Sequence, residues 1–252
     1  MTPSNRAPAV SRAIAVLKLL GRSPEPMGVN AIARELGVVP SSCLHILRAL
    51  AEDALVQVHP RTKHYSLGLG LLPLTQGMLR RNQFAKLVQP ELEALAAKHR
   101  VSAAGVELDG ADHMVVLATA QPTMPVAIEV ALGSRLPALV SATGRCIAAN
   151  SGLPERELKK KFSAVKWASP PSFATWLKDV EEARKEGVAQ DIGNYMKGFT
   201  VVAAAVIVGG EMRQAITVVG VSEQLNGGRL TALRRDLKRC AKAVSERLEV
   251  LR

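Results

Sequence analysis

The side chains with the clearest chemical potential lie close together in the first quarter of the chain. Ser41, Ser42 and His45, placed on a helical wheel at about 100° per residue, gather with Ala49 on one side. Cys43, Leu44, Leu47, Leu50, Ala51 and Ala54 fall opposite them. Short hydroxyl groups and an imidazole at the start of a helix can hydrogen-bond base edges and phosphates in the major groove of duplex DNA. Arg61 and Lys63 follow in a Pro-Arg-Thr-Lys turn, from which a cation reaches a flanking phosphate or the minor groove. Taken singly, each residue has a plainer use: Ser41 and Ser42 as first-turn caps, His45 as an exposed imidazole, the two cations as solvated charges. It is their order as a set that points to a nucleic-acid reader.

The elements needed to position that set are written around it. Val10 to Gly21 carries Ile14, Leu17 and Leu20 at helical spacing, and Gly21 stops the run. Asn30 can cap a short second helix ending at Gly37, Val38 and Val39 make a tight turn, and Pro40 suits the first position of a third helix running to about Glu52. Val56 to His59 and His64 to Leu67 then alternate as a small hairpin. Three helices and a hairpin spell a winged helix-turn-helix. Leu69 to Arg81 predicts a connecting helix weakened by Gly70, Pro73 and Gly77.

Beyond Asn82 the pattern changes to an α+β layer. A helix is expected around Leu87 to Lys98, then strands at Ala103 to Leu108 and His113 to Thr119 hinged on Asp109-Gly110. Helices follow at Thr143 to Ala149 and Ser172 to Glu186. Two apolar runs, Val201 to Val208 and Ala215 to Val221, meet across Gly209-Gly210, and a last helix spans Leu230 to Leu251 with Leu230, Leu233, Leu237, Val244, Leu248 and Leu251 on one stripe. The product is an antiparallel sheet packed by helices.

Composition sets the class. Hydrophobic residues make up 48% of the 252 residues and aromatics only 3%, so the interior must be aliphatic and the chain globular. The longest apolar runs are too short to span a bilayer and residues 1–12 lack a leader-like apolar core, which predicts a soluble cytoplasmic protein with no membrane partner. Cys43, Cys146 and Cys240 are too few and too scattered for a disulfide framework or paired metal-binding cysteines, so reduced thiols are expected. Of the formal charge of +11, residues 1–82 hold +6, with ten Lys or Arg against four acids. A basic N-terminal third suits a polyanion.

At this point the sequence resembles the IclR-type transcriptional regulators. The resemblance runs through Ser11-Arg12-Ala13, Gly37 to His45, Pro60 to Gly68, Ala142-Thr143-Gly144-Arg145 and Gly198 to Ala204, and so covers nearly the whole chain. It implies a winged helix-turn-helix over 1–68, a dimerising linker helix over 69–82 and a GAF-like effector domain over 83–252. It also implies a homodimer or homotetramer on a palindromic double-stranded operator near catabolic genes. Ser41 stands where the family often has Lys, and Ile46 where it usually has Arg. Both changes remove a cation, so Arg12, Arg48 and the wing cations must compensate or nonspecific affinity falls.

The same resemblance implies an effector pocket lined by Ala142 and Thr143 at the start of a helix, by Asp191, by Val201, and by Thr217 and Val219. The free N–H groups of such a helix start favour a carboxylate. Asp191 would bind a hydroxyl or remain a solvated turn residue, and Val201 and Val219 read equally well as plain core. Val219, Asn194 and Ala205 replace more polar or bulkier family residues, which points to an aromatic or other apolar carboxylate.

No cofactor, metal or catalytic group is expected. The five histidines all lie in the N-terminal half, and no His-Glu-x-x-His, Gly-x-Ser-x-Gly or phosphate-cradling Gly-x-x-x-x-Gly-Lys motif occurs. Gly68-Leu69-Gly70 is a fragment of a dinucleotide fingerprint. The remaining rival is a protein-binding scaffold in which Ile46 and Ala49 form an exposed apolar patch.

Overall fold

The computed structural model describes residues 7–110, 112–124 and 128–252, the side chains of 78–80 excepted. The predicted polar arm over 1–6 lies outside the described residues. Contacts divide the chain into two units, 1–81 and 82–252.

In the first unit, α1 (Pro8–Arg22), α2 (Val29–Leu36) and α3 (Pro40–Glu52) precede an antiparallel hairpin of β1 (Val56–Val58) and β2 (Tyr65–Leu67), and α4 (Leu71–Arg81) closes it. Val16, Leu20, Ile32, Cys43, Leu47, Leu50 and Val56 form the core. Three expectations need correction. Gly28, not Asn30, is the N-cap of α2, which leaves Asn30 exposed inside the helix. Ile14 is exposed because α1 turns its Val16 and Leu20 edge inward. Ala54 leaves the core face because the helix has ended at Glu52 and Ala54 is exposed in a left-handed conformation at φ 55°.

Gly68 and Gly70 also have a structural purpose. Their N–H groups donate to Leu55 O and Ala54 O at 2.9 Å, laying the strand end onto the backbone that leaves α3. A Cβ on Gly68 would stand 2.1 Å from Ala54 O. Gly68→Ala is therefore expected to destabilise this unit by about 1–3 kcal/mol through forced backbone displacement. A thermal melt of the variant checks it.

The second unit is a six-stranded sheet, with every neighbouring pair antiparallel, in the order β5-β4-β3-β8-β7-β6. Its strands are β3 (Ser102–Asp109), β4 (His113–Ala120), β5 (Arg135–Pro137), β6 (Val188–Ile192), β7 (Phe199–Val208) and β8 (Glu211–Val221). One face carries α5 (Gln83–His99) and α9 (Gly227–Val250) over an aliphatic layer that includes Val88, Leu92, Ile216, Leu233 and Leu237. Within that layer Asp236 is buried against α5. The Lys98 ammonium, helped by His99, holds its carboxyl down at about 2. Leu251, assigned to the apolar stripe of the last helix, lies past the helix end and is exposed.

The opposite face carries α6 (Ser141–Asn150), α7 (Glu155–Ala164) and α8 (Phe173–Glu186). The sequence reading missed α7, β5 and β6. In α7 only Leu158 and Phe162 are buried among mostly charged neighbours, and β5 is a three-residue edge strand ending in proline. All three cysteines are free and buried, and burial raises each thiol, Cys146 and Cys240 to about 12. Among the described residues no helix is long and apolar enough to cross a membrane.

Candidate functional site

The first site is built on α3. Val38 donates its N–H to Ala33 O at 2.9 Å, which locks the turn between α2 and α3, and Pro40 starts the helix where its missing N–H costs nothing. Cys43, Leu47 and Leu50 face the core, leaving Ser41, His45, Arg48, Ala49 and Glu52 exposed on one face. Ser42 is half-buried at its margin. Ile46 is half-buried and packs against the core cluster, so the apolar patch required by a protein-binding scaffold does not form; only Ala49 is exposed.

The wing places its cations as expected. His59 N–H donates to His64 O at 2.8 Å and Lys63 N–H to His59 O at 2.9 Å, closing a loop in which Lys63 is left-handed at φ 55°. Arg61 and Lys63 are exposed at its tip. Arg12 is exposed on α1, a separate element from the α3 face. This unit therefore offers a helix edge of short polar groups with one guanidinium and an exposed pair of cations on a hairpin, a combination suited to base edges and phosphates.

The second site lies on the α6 face of the sheet. Asp191 pairs with Val201 across β6 and β7, Val201 with Val219 across β7 and β8, and Val219 with Ser102 across β8 and β3. Direct cross-strand partners share a face, so three of the candidate residues form one row that ends in Ser102. Thr217 stands in the next row, between Ala203 and Ala104. Ala142 and Thr143, buried in the first turn of α6, belong to the same side of the domain. Ser102 was missed because strand register cannot be read from one strand alone. At this end of the row a cavity of about 310 Å³ is lined by Arg100, Ser102, Pro122, Met124, Ile128 and Val219 among others. Of the six candidate residues Val219 alone borders it.

Arg145 organises the other end. Its guanidinium is buried and donates to Asp191 Oδ2 at 2.8 Å, Asp179 Oδ2 at 3.0 Å, Asn194 Oδ1 at 3.1 Å and the Ser141 carbonyl at 3.0 Å. Asp191 Oδ1 accepts from the N–H groups of Asn194 and Tyr195 at 3.0 and 3.2 Å. Asp191 is thus neither a solvated turn residue nor uncommitted: it sits in β6, buried, with both oxygens engaged. The pairing spans 46 positions of sequence, which is why local pattern gave no hint of it.

Ser141, whose carbonyl Arg145 holds, is left-handed at φ 55°, a strained conformation for a residue with a Cβ. Gly144 permits the tight approach that follows, since a Cβ there would stand 2.1 Å from the Leu139 carbonyl carbon. Among the described residues no side chain caps α6, and the N–H groups of an uncapped first turn are of the kind that suits an anion. The same core cluster holds an aromatic group in which Phe162, Trp167, Phe173 and Trp176 are packed at centroid distances of 5.2 to 5.8 Å, and Tyr195 meets Trp167 edge-on at 6.5 Å. The chain has only eight Phe, Trp and Tyr residues, so five in one cluster is a concentration.

Comparison with known proteins assigns a family domain to each part of the chain. Residues 9–60 match the IclR helix-turn-helix domain and residues 76–246 the bacterial transcriptional regulator IclR C-terminal domain. The HTH-type transcriptional regulator TtgV of Pseudomonas putida is 26% identical over 192 residues, 75% of this chain and 72% of that protein. The HTH-type transcriptional repressor AllR of Escherichia coli K12 is 24% identical over 232 residues, covering 90% and 84%. Among solved structures, an IclR transcriptional regulator from Alicyclobacillus acidocaldarius superposes with a TM-score of 0.83 at 26% identity, covering 96% of this chain and 99% of that one. An IclR homologue from Microbacterium hydrocarbonoxydans, solved with 4-hydroxybenzoate, shares the fold at a TM-score of 0.79 and 17% identity, with 96% and 99% covered. With both family domains matched, the chain belongs to the IclR family and is a DNA-binding transcriptional regulator under the control of a small-molecule effector.

Proposed function

We propose that the protein works in the cytoplasm as a homodimer or homotetramer on a palindromic operator, regulating a catabolic operon, with no catalytic role of its own. The observation that carries the DNA reading is the exposed α3 face of Ser41, His45 and Arg48, flanked by Arg61 and Lys63 on the wing. Self-association is supported by large apolar side chains left uncovered on two helices of this unit, Val10 and Ile14 on α1 and Leu72 and Leu74 on α4. Their burial in a second copy would set two recognition helices at a fixed spacing.

Selection from random duplex oligonucleotides at modest ionic strength tests this reading. A two-fold symmetric motif is expected, and its affinity should fall with salt at a slope of about 0.9 per neutralised phosphate. Failure to enrich any sequence, or affinity indifferent to salt, overturns it.

The effector is proposed to be an aromatic or other apolar carboxylate. Its carboxylate would take the first-turn N–H groups of α6 at Ala142 and Thr143, and its apolar body the row of Val201 and Val219 with Thr217 beside it. The aromatic cluster and the aliphatic sheet face support this class, as does the 4-hydroxybenzoate held by the Microbacterium relative. Asp191 acts through Arg145, as a brace of the pocket. Thr143→Arg is expected to abolish binding of whichever member of an aromatic-carboxylate panel, 4-hydroxybenzoate included, binds the wild type in calorimetry. Unchanged affinity in the variant would remove this turn from the pocket.

A further inference from the structure

Val39 is the N-cap of α3 and is 64% exposed, although Val38 beside it packs into the core. Among the described residues of the N-terminal unit the large exposed hydrophobic side chains are Val10, Ile14, Val39, Val58, Leu69, Leu72 and Leu74, and of these Val39 alone borders the recognition helix. Its backbone is held at φ −66° and ψ 134°, the extended region to which a following proline confines it. A β-branched side chain on a fixed backbone has few rotamers to lose, so its isopropyl group is presented in a defined direction. Pro40 and Ser41, both short and exposed, leave that group unshadowed at the end of α3.

In helix-turn-helix complexes the N-terminal residues of the recognition helix meet base edges in the major groove, and there only thymine carries a methyl group. We propose that Val39 is a specificity-determining residue whose isopropyl group packs on the C5 methyl of one thymine in each half-site. Arg48 is the one Lys or Arg of α3, so little of the contact along this helix is carried by charge and an apolar contact gains weight.

The test uses the full-length protein and the operator obtained by selection, with each thymine replaced in turn by deoxyuridine. That change deletes the methyl and keeps every hydrogen-bonding group. One position per half-site should weaken wild-type binding by about fourfold, the size expected for losing the burial of one methyl-sized group. Val39→Ser should bind the thymine operator about fourfold more weakly per half-site and be indifferent to deoxyuridine at that position. Melting curves and salt slopes of the variant should match the wild type, because the side chain is exposed and uncharged. Absence of any thymine whose methyl is read through Val39, or wild-type discrimination in Val39→Ser, overturns the proposal. An experiment in which no operator is enriched at all refutes the operator reading itself and is thereby distinguished from a failure of Val39.

Discussion

Replacing Arg145 with methionine should destabilise the second unit by about 3–5 kcal/mol, the usual cost of stranding a buried charge by removing its partner. For a domain of this size that corresponds to a fall in melting temperature on the order of 10 °C. The stranded group is Asp191, which would keep two backbone N–H donors but lose its guanidinium. Asp179 would suffer less, because its carboxylate is 38% exposed and water can replace Arg145. Combining Arg145→Met with Asp191→Asn should recover part of the loss, since no unpaired buried charge then remains. A double-mutant cycle read by thermal or denaturant unfolding measures the coupling, and strictly additive single effects would refute it. The first turn of α6 should also relax in Arg145→Met, because the contact holding the strained Ser141 carbonyl is gone.

The second large effect belongs to DNA. Arg48→Glu should reduce operator affinity by about tenfold per half-site, hence about a hundredfold for a two-fold symmetric complex, since a hydrogen bond to a charged group is lost and a like charge faces phosphate. The salt slope should drop by about one per half-site. Stability should stay within about 0.5 kcal/mol of wild type because Arg48 is exposed on α3. A gel shift or fluorescence-anisotropy titration over a range of salt concentrations decides the matter. Wild-type affinity in Arg48→Glu would move the phosphate contact elsewhere, with Arg12 and the wing cations as the remaining candidates.

What the sequence revealed and what it withheld have a common cause. The bounds of α3, Pro40 to Glu52, were readable because a proline at the first position and an apolar edge of helical period are both local. The β7–β8 hairpin was readable because Gly209-Gly210 separates two β-branched runs. In contrast, β6 hides Asp191 in a five-residue strand whose purpose emerges only when Arg145 arrives from another element. The recognition-helix wheel erred at Ala54, past the last turn, and the scaffold reading erred at Ile46, where tertiary packing half-buried a residue at the edge of the polar face. Ala142, Thr143, Val201, Thr217 and Val219 came from family resemblance; Ser102 and the Arg145 brace required the folded sheet.

The three silent thiols carry a practical consequence. With Cys43, Cys146 and Cys240 all buried and their thiolates disfavoured, maleimide and iodoacetamide reagents find no ready nucleophile on the native chain. A cysteine introduced at exposed Ala49 would then be the sole reactive handle. A spin label or fluorophore carried there could report the distance between paired reading heads as effector is added, without first stripping the native sulfurs.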